Sequence, residues 1–556
     1  MTALLVKHGV KHAVLCPGSR NAPIVHNLNE CPDITCYSVS DERSAGFYAF
    51  GMCQATGSPV VVCVTSGTAL LNLAPSVAEA YYLHQSLIVV SADRPVQWID
   101  QLDGQTLPQT DALGRFVRKA VSLPEPRDDE ERWYCNRLVN EAMLDSRRIS
   151  CAPVHINVPI SEPLFEFNVE ALPDERKIER YRPTAYPYYV EQFVERFLNA
   201  RKPMIVVGQM ASQILVEEDL RRVADDVVVL TERLCPAILP LCHFDEVLHH
   251  VGMDENYMPD MVLYIGDSVV SKRLKKFLRA AKDAEVWTVQ PDGAVQDTFQ
   301  HLAGVIEGEP DEVLCVIAEQ LNEMERRDDL SAFDLLAHTP LAFRSLWQKA
   351  LDSASKHAAD FVPAFSQMSA VRFLEQRLSQ CDDDSYRVHY ANSTSVRLAN
   401  IYSPHFVFCN RGVNGIEGSL STAAGFSVVT SRTVFCVIGD LSFFYDQNAL
   451  WNQNLRGNFR IVLLNNGSGG IFRQLSGLQE SPYRDHFVAA SHATTAEGIC
   501  RQNHVAYLSA HNQEKLEQGM ETLVSREADL PMLLEVFTDA ETDAKVYQEY
   551  YKTFKI

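Results

Sequence analysis

Short apolar runs, each closing on small, polar or charged residues and followed by a stretch of helical spacing, recur along the 556-residue chain. That order, strand then polar loop then helix, predicts parallel α/β layers. It occurs in three blocks. The first contains "HAVLCPGSR", "PVVVCVTSGTA", "SLIVVSADRP" and "PVHINVPI". The second contains "PMIVVGQM", "DVVVLTER", "MVLYIGDSVV" and "EVWTVQ", and the third "RVHYANSTS", "HFVFCNRG", "TVFCVIGD", "RIVLLNNGSGGIF" and "PMLLEVF". The pattern predicts an α/β chain of three doubly wound parallel-sheet domains, over residues 1–170, 186–330 and 360–556. The stretch "ALPDERKIERYRPTAYP" and the helical "FDLLAHTPLAFRSLWQKALDSASKHAADFVPAF" read as connectors. The start, "MTALLVKHGVKHAVL", reads as a helix running into a strand rather than as a cleavable leader.

Length agrees, since a chain of this size exceeds one core and predicts about three domains. Hydrophobic residues at 46% and charged residues at 22% describe an ordinary globular protein. No apolar stretch is long enough to span a membrane, which makes cytoplasm the expected compartment. Fourteen cysteines are scattered without a C-x-x-C, several inside apolar runs (Cys16, Cys63, Cys436), so neither a disulfide framework nor a zinc site is expected. The formal charge of −22 argues against nucleic acid or an anionic membrane as partner. Cations gathered in one place therefore carry information.

In parallel sheets, ligands bind beyond the carboxyl ends of the strands. The polar signals fall there: "PGSR", "TSGTA", "SADRP", "GDSVVSKR", "NST", "CNRG", "GDLS" and "NNGSGG". No G-x-G-x-x-G follows a strand and no P-loop is present, which excludes the usual dinucleotide and nucleotide cradles. Asp440 ends one apolar run and Asn466, in "NN", ends the next. One carboxylate, one amide and the carbonyl of Ser468 make an oxygen-only set suited to Mg²⁺, or Mn²⁺ in its place, with phosphate oxygens completing the shell. The glycines after Asn466 let backbone approach a diphosphate, and a helix after "GDLS" turns N–H groups toward it. Taken alone, Asp440 reads equally as a helix cap and "NN" as a turn.

The spacing resembles that of the thiamine diphosphate-dependent enzymes, in which Gly-Asp-Gly precedes Asn-Asn by some 25 to 30 residues. Leu441 stands where that pattern has its second Gly. Such enzymes require a glutamate from a separate domain against the aminopyrimidine of thiamine diphosphate. In "SDERSAGFYAFG" Glu42 opens a helix and meets that demand; otherwise it would be a first-turn carboxylate facing the helix dipole. With "CPGSR", "VTSGTALLNLAPSVAEA", "GDSVVSKR", "NSTSVR", "NRGVNGIEGSLSTAAG" and "NNGSGGIF", the chain is similar over nearly its whole length to the 2-succinyl-5-enolpyruvyl-6-hydroxy-3-cyclohexene-1-carboxylate synthases. In them "GDLS" is the usual form of the motif, and further residues normally precede the first helix.

The resemblance implies decarboxylation of 2-oxoglutarate and 1,4-addition of the four-carbon unit to isochorismate, a step of menaquinone biosynthesis. It implies a homodimer or a dimer of dimers, pyrimidine-binding, central and diphosphate-binding domains in chain order, and Glu42 as the catalytic acid–base. Cofactor contacts carry over to Glu42, Ser66, Gly67, Ile416, Gly439, Asp440, Leu441, Ser442, Asn466 and Ile471, with Asp440, Asn466 and Ser468 as metal ligands. Ser393 and Arg397 would hold the distal carboxylate of 2-oxoglutarate. Ser19, Arg20, Arg94, Gln105, Lys272, Arg273 and Arg411 would serve isochorismate and product carboxylates, while Phe472 and Leu475 would wall the pocket. Each cation alone reads as a solvated charge, and each apolar residue as core. Another thiamine diphosphate carboligase or 2-oxo acid decarboxylase, and a catalytically silent α/β scaffold, stay open at this point.

Overall fold

The computed structural model describes the whole chain except residues 168–170, 181–187, 212, 213, 215, 238–241, 327–337, 475, 476 and 526. Three parallel sheets follow one another. The first comprises β1 (His12–Leu15), β2 (Thr35–Ser38), β3 (Val60–Val64), β4 (Leu87–Asp93), β5 (Lys119–Ser122) and β6 (Val154–Pro159), in the order β2-β1-β3-β4-β6-β5. The second, ordered β11-β10-β9-β7-β8, comprises β7 (Pro203–Val207), β8 (Val228–Thr231), β9 (Met261–Ile265), β10 (Glu285–Val289) and β11 (Leu302–Ile306). The third, ordered β12-β13-β14-β16-β15, comprises β12 (Tyr386–Tyr390), β13 (Thr433–Gly439), β14 (Phe459–Asn465), β15 (Ala506–Ala510) and β16 (Met532–Phe537). Every residue of β3, β4, β9 and β14 is buried. Helices cover both faces of such sheets, so no face can be left polar, which explains runs without alternation.

The connector at residues 333–365 is partly a packed element. Its helix His338–Asp360 buries Phe343, Trp347, Ala350 and Leu351 in the core of the central domain, and Trp347 Nε1 donates to Tyr257 O at 3.1 Å. The first domain meets the third through two helices, Glu42–Thr56 and Ser419–Val428. Asp41 caps the former by accepting from Ser44 N (3.0 Å), and Gly57 ends it at φ +61°. Glycines set the crossing distance: a Cβ at Gly51 would stand 2.0 Å from Thr422 O, and one at Gly425 2.2 Å from Tyr48 O. The central and third domains join through Tyr550 Oη to Glu246 (2.7 Å) and Tyr551 Oη to Asp245 (2.9 Å).

Candidate active site

β13 and β14 are neighbours in register, Gly439 opposite Leu464, so their carboxyl ends lie side by side. Asp440 is not the N-cap of the short helix Asp440–Tyr445; Gly439 holds that position. The Asp440 carboxylate instead accepts from Leu441 N (2.7 Å) and crosses to the next strand end, where Asn466 N donates at 3.1 Å. The two amides of "NN" part company. Asn465 turns into the core and gives its Nδ2 to Glu535 (2.7 Å) and Thr494 O (3.0 Å). Asn466 gives its Nδ2 to Asp543 (2.9 Å), which leaves its Oδ1 as the acceptor, and Ser468 N donates to that oxygen at 3.3 Å.

Asp543 belongs to the helix Ala540–Thr553 and also accepts from Gln367 N (2.9 Å) and Thr538 Oγ1 (2.7 Å). No local motif announces it, 77 residues from Asn466. His492 was equally unforeseen: its Nε2 stands 3.5 Å from Asp440 Oδ2, while its Nδ1 accepts from Thr494 N. Burial pushes the Asp440 carboxyl up, offset first by Leu441 N–H and then by the charge of His492. A bound cation reverses that penalty.

The loop after Gly467 (φ +72°) brings Ser468 into the same corner, buried, with its Oγ lacking any partner among the described residues. The donors are hard oxygens, and among the described residues no cluster of three or more His, Cys, Asp or Glu competes with them. This set fits an octahedral, oxygen-seeking cation. Ser442 donates its hydroxyl to Ile416 O, tying the loop that carries Ile416 to the helix at Asp440. Ile471 and Phe472 follow in the turn Gly470–Gln474. Leu475 lies outside the described residues.

Helix Thr394–Tyr402 begins at Ser393, a non-glycine residue at φ +77°. Its Thr394 and Leu398 line a cavity with Asn466, Gly470, Asp543 and Tyr547. Its Arg397 lines a second cavity with Asp245, Ser271, Tyr547 and Tyr551, so Tyr547 stands between the two. No hydrogen bond or ion pair engages the Arg397 side chain among the described residues, nor that of Lys272. Arg273, by contrast, is paired with Asp245 and stacked over Tyr551 at 4.5 Å. Arg411 donates to Asn392 Oδ1 (3.1 Å), and its buried Nε has no partner.

In the first domain, Gln105 (φ +57°) lays its backbone across Gly67, where a Cβ would meet Gln105 Cα at 3.1 Å. Gly67 N donates to Gln109, a buried hub that also bonds Ala92 O and Asn157. The hydroxyl of buried Ser66 is unpartnered. Arg94 reaches Gly104 O at 3.2 Å, so Ser66, Gly67, Arg94 and Gln105 share one strand-end surface. Ser19 is exposed, while Arg20 is buried and already holds Ile160 O (2.9 Å) and Glu162 (3.4 Å). Glu42 has only Asn72 within hydrogen-bond reach, at 3.4 Å, among the described residues. No hydrogen bond joins it to the Asp440 corner of its own chain. Its neighbour Arg43 binds Tyr445 O (2.9 Å), at the other end of the helix that Asp440 opens.

Three family profiles match: the thiamine pyrophosphate enzyme N-terminal TPP-binding domain over residues 1–113, the middle domain over 177–366 and the C-terminal TPP-binding domain over 391–536. Curated relatives named 2-succinyl-5-enolpyruvyl-6-hydroxy-3-cyclohexene-1-carboxylate synthase are similar end to end. That of Bacteroides fragilis is 44% identical, covering 100% of this chain and 98% of its own. That of Phocaeicola vulgatus is 43% identical over the same shares, and that of Desulfotalea psychrophila is 35% identical over 96% of each. A Mycobacterium smegmatis structure described as a thiamin diphosphate-dependent enzyme superposes with TM-score 0.67 at 18% identity, covering 96% of this chain and 98% of that one, and so shares the fold.

Proposed function

The chain belongs to the 2-succinyl-5-enolpyruvyl-6-hydroxy-3-cyclohexene-1-carboxylate synthases of the thiamine diphosphate-dependent family, and from that premise we propose that it joins the decarboxylated four-carbon unit of 2-oxoglutarate to isochorismate for menaquinone synthesis. The observation that carries the assignment of the site is the pairing of Asp440 with Asn466 across the ends of β13 and β14. Thiamine diphosphate, when bound, supplies the electron sink for decarboxylation.

The residues supply binding, orientation and proton handling. Asp440, Asn466 and the Ser468 carbonyl would hold Mg²⁺ or Mn²⁺, and Asp543, by taking the Asn466 Nδ2, leaves the amide oxygen as that side chain's ligand atom. Ser442 fixes the Ile416 loop that shapes the cofactor's seat. Arg397, whose guanidinium is uncommitted among the described residues, grips the distal carboxylate of the donor, aided by Ser393 at the mouth of the same helix. Arg411, Lys272, Arg94, Gln105 and Ser19 receive the acceptor's carboxylates and hydroxyls. Arg20 and Arg273, already paired with Glu162 and Asp245, act in an acceptor site only by exchanging those partners. Glu42 works in a homodimer, against the cofactor held by a second copy, because the described residues of its own chain offer it only Asn72.

Purified protein incubated with 2-oxoglutarate and isochorismate should form product only when both thiamine diphosphate and Mg²⁺ are present. Equal turnover with pyruvate as donor, or turnover independent of the cofactor, would overturn the reading.

A further inference from the structure

Glu79 lies in the helix Ala74–Tyr82 of the first domain, 3% exposed, with no lysine or arginine bonded to its carboxylate among the described residues. Its oxygens are used otherwise. Oε1 accepts from Gly412 N at 2.8 Å and Oε2 from Val413 N at 2.7 Å, 333 and 334 residues further along. A buried carboxylate is expensive unless charge-assisted hydrogen bonds satisfy it, and here both come from one loop of the third domain. The fit is close: a Cβ on Gly412 would stand 3.0 Å from Glu79 O. Burial pushes the Glu79 carboxyl up, while the N–H groups of Val413 and Gly412, and more weakly Arg411, pull it back.

The residue just before these two donors is Arg411. Its carbonyl accepts from Ser268 Oγ of the central domain (2.9 Å), and its guanidinium donates to Asn392 Oδ1 of the third (3.1 Å). Asn392 also spans the loop, its Nδ2 donating to Asn410 O (2.6 Å) and Gly415 O (2.8 Å), while Ile416 O has an anchor of its own in Ser442. The central and third domains thus hold Arg411 itself and the first domain holds the two residues that follow it, while Ile416 is tied to Ser442.

We propose that Glu79, with Ser268, is a positioning residue for the acceptor substrate: it clamps the Gly412–Val413 backbone so that Arg411 is aimed at a carboxylate of isochorismate. The inference rests on the reading of Arg411 as an acceptor residue. Glu79 touches no substrate itself. Its effect is selective because the donor's carboxylate falls to Arg397, on another helix, and Ile416 O is tied by Ser442, a bond that Glu79 does not share.

The test compares Glu79→Gln, Ser268→Ala, Arg411→Ala and the Glu79→Gln/Arg411→Ala double variant. Gln keeps one acceptor but turns an N–H₂ against a backbone N–H, which loosens the loop. The expected result is a rise of roughly 10- to 100-fold in KM for isochorismate in Glu79→Gln, the scale of an ångström-sized misplacement. CO₂ release from 2-oxoglutarate without acceptor, and thiamine diphosphate affinity, should stay near wild type. Ser268→Ala should show a smaller rise, and the double variant should be no worse than Arg411→Ala, since two residues acting through one group are not additive. If Arg411→Ala weakens acceptor use and Glu79→Gln and Ser268→Ala do not, the clamp is refuted while the Arg411 reading stands. If Arg411→Ala leaves KM for isochorismate unchanged, the reading beneath the clamp is refuted as well. Equal losses in the donor and acceptor assays would make Glu79 an interdomain tie without a positioning role; should Glu79→Gln not fold, Ser268→Ala decides alone.

Discussion

The crossing of helices Glu42–Thr56 and Ser419–Val428 offers a test in which two physical effects oppose each other. In an exposed helix interior Gly51→Ala would stabilise by about 1 kcal/mol, through propensity alone. Here the added methyl would lie 2.0 Å from Thr422 O, 2.9 Å from Thr422 C and 3.0 Å from Phe426 N, all backbone atoms that cannot rotate aside. Ordinary contact begins at 3.4 Å, so the helices must separate by more than 1 Å. Gly425→Ala meets the same obstacle from the other side, 2.2 Å from Tyr48 O and 2.5 Å from Tyr48 Cα. Overpacking against side chains costs about 1–3 kcal/mol, and a backbone wall belongs at or above the top of that range. Net destabilisation of about 2 kcal/mol should follow, lowering Tm by about 4–8 °C for a domain of this size in calorimetry. Because Glu42 is the first residue of the displaced helix, kcat should fall further than thiamine diphosphate affinity does. A variant as stable as wild type, or one stabilised by the full propensity gain, would refute the claim that backbone contact governs this crossing.

Three further outcomes follow from single groups. Glu42→Gln should bind thiamine diphosphate yet slow C2 proton exchange by roughly 10²- to 10⁴-fold; mixing it with Asp440→Ala, which should lose cofactor binding in calorimetry, should restore activity through hybrid dimers, and no restoration would argue against a shared site. Arg397→Ala should lower kcat/KM for 2-oxoglutarate by roughly 30- to several-thousand-fold and leave pyruvate unaffected; an equal fall for both moves the carboxylate site elsewhere. Asp446 is fully buried, bonded to Ser421 N and Oγ (each 2.8 Å), and burial pushes its carboxyl up to about 7. A raised carboxyl contributes stability that is complete below the unfolded value of about 4 and lost as pH rises through about 7. Asp446→Asn keeps both Ser421 bonds and should flatten the dependence of Tm on pH across that window; parallel curves for the two proteins would exclude this residue as the source.

Whatever was local in the chain could be read from it. The buried strands announced themselves as unbroken apolar runs, because a sheet covered on both faces tolerates no alternation. The strand-end polar residues stood out for another reason: ligands of parallel sheets bind beyond the carboxyl ends of the strands. What stayed hidden depends on pairing at long range. Glu79 looked like one more carboxylate of an acidic protein until its two N–H partners arrived from 333 and 334 residues away. The cations looked alike in sequence, yet Asp245 and Glu162 occupy Arg273 and Arg20 while Arg397 has no such partner among the described residues. Those carboxylates lie in other elements, and charge alone does not say which cation they will meet.

The pair "NN" shows how much more a local pattern holds when strand geometry is applied to it. Asn465 is the last residue of β14, still in register opposite Phe537 of β16, and its side chain is directed inward, to Glu535 of the neighbouring strand. Alternation turns the next side chain the other way. Asn466, the first residue beyond the ladder, is therefore the one whose amide leaves the sheet, where Asp543 fixes its nitrogen. Its backbone N–H, freed from strand pairing at the same point, becomes the donor to Asp440. Moving the end of β14 by one residue would turn Asn465 out of the sheet and take from Glu535 the amide it now accepts from. The arrangement thus depends on where pairing stops, a property of β14 and β16 together, and the two asparagines are not interchangeable.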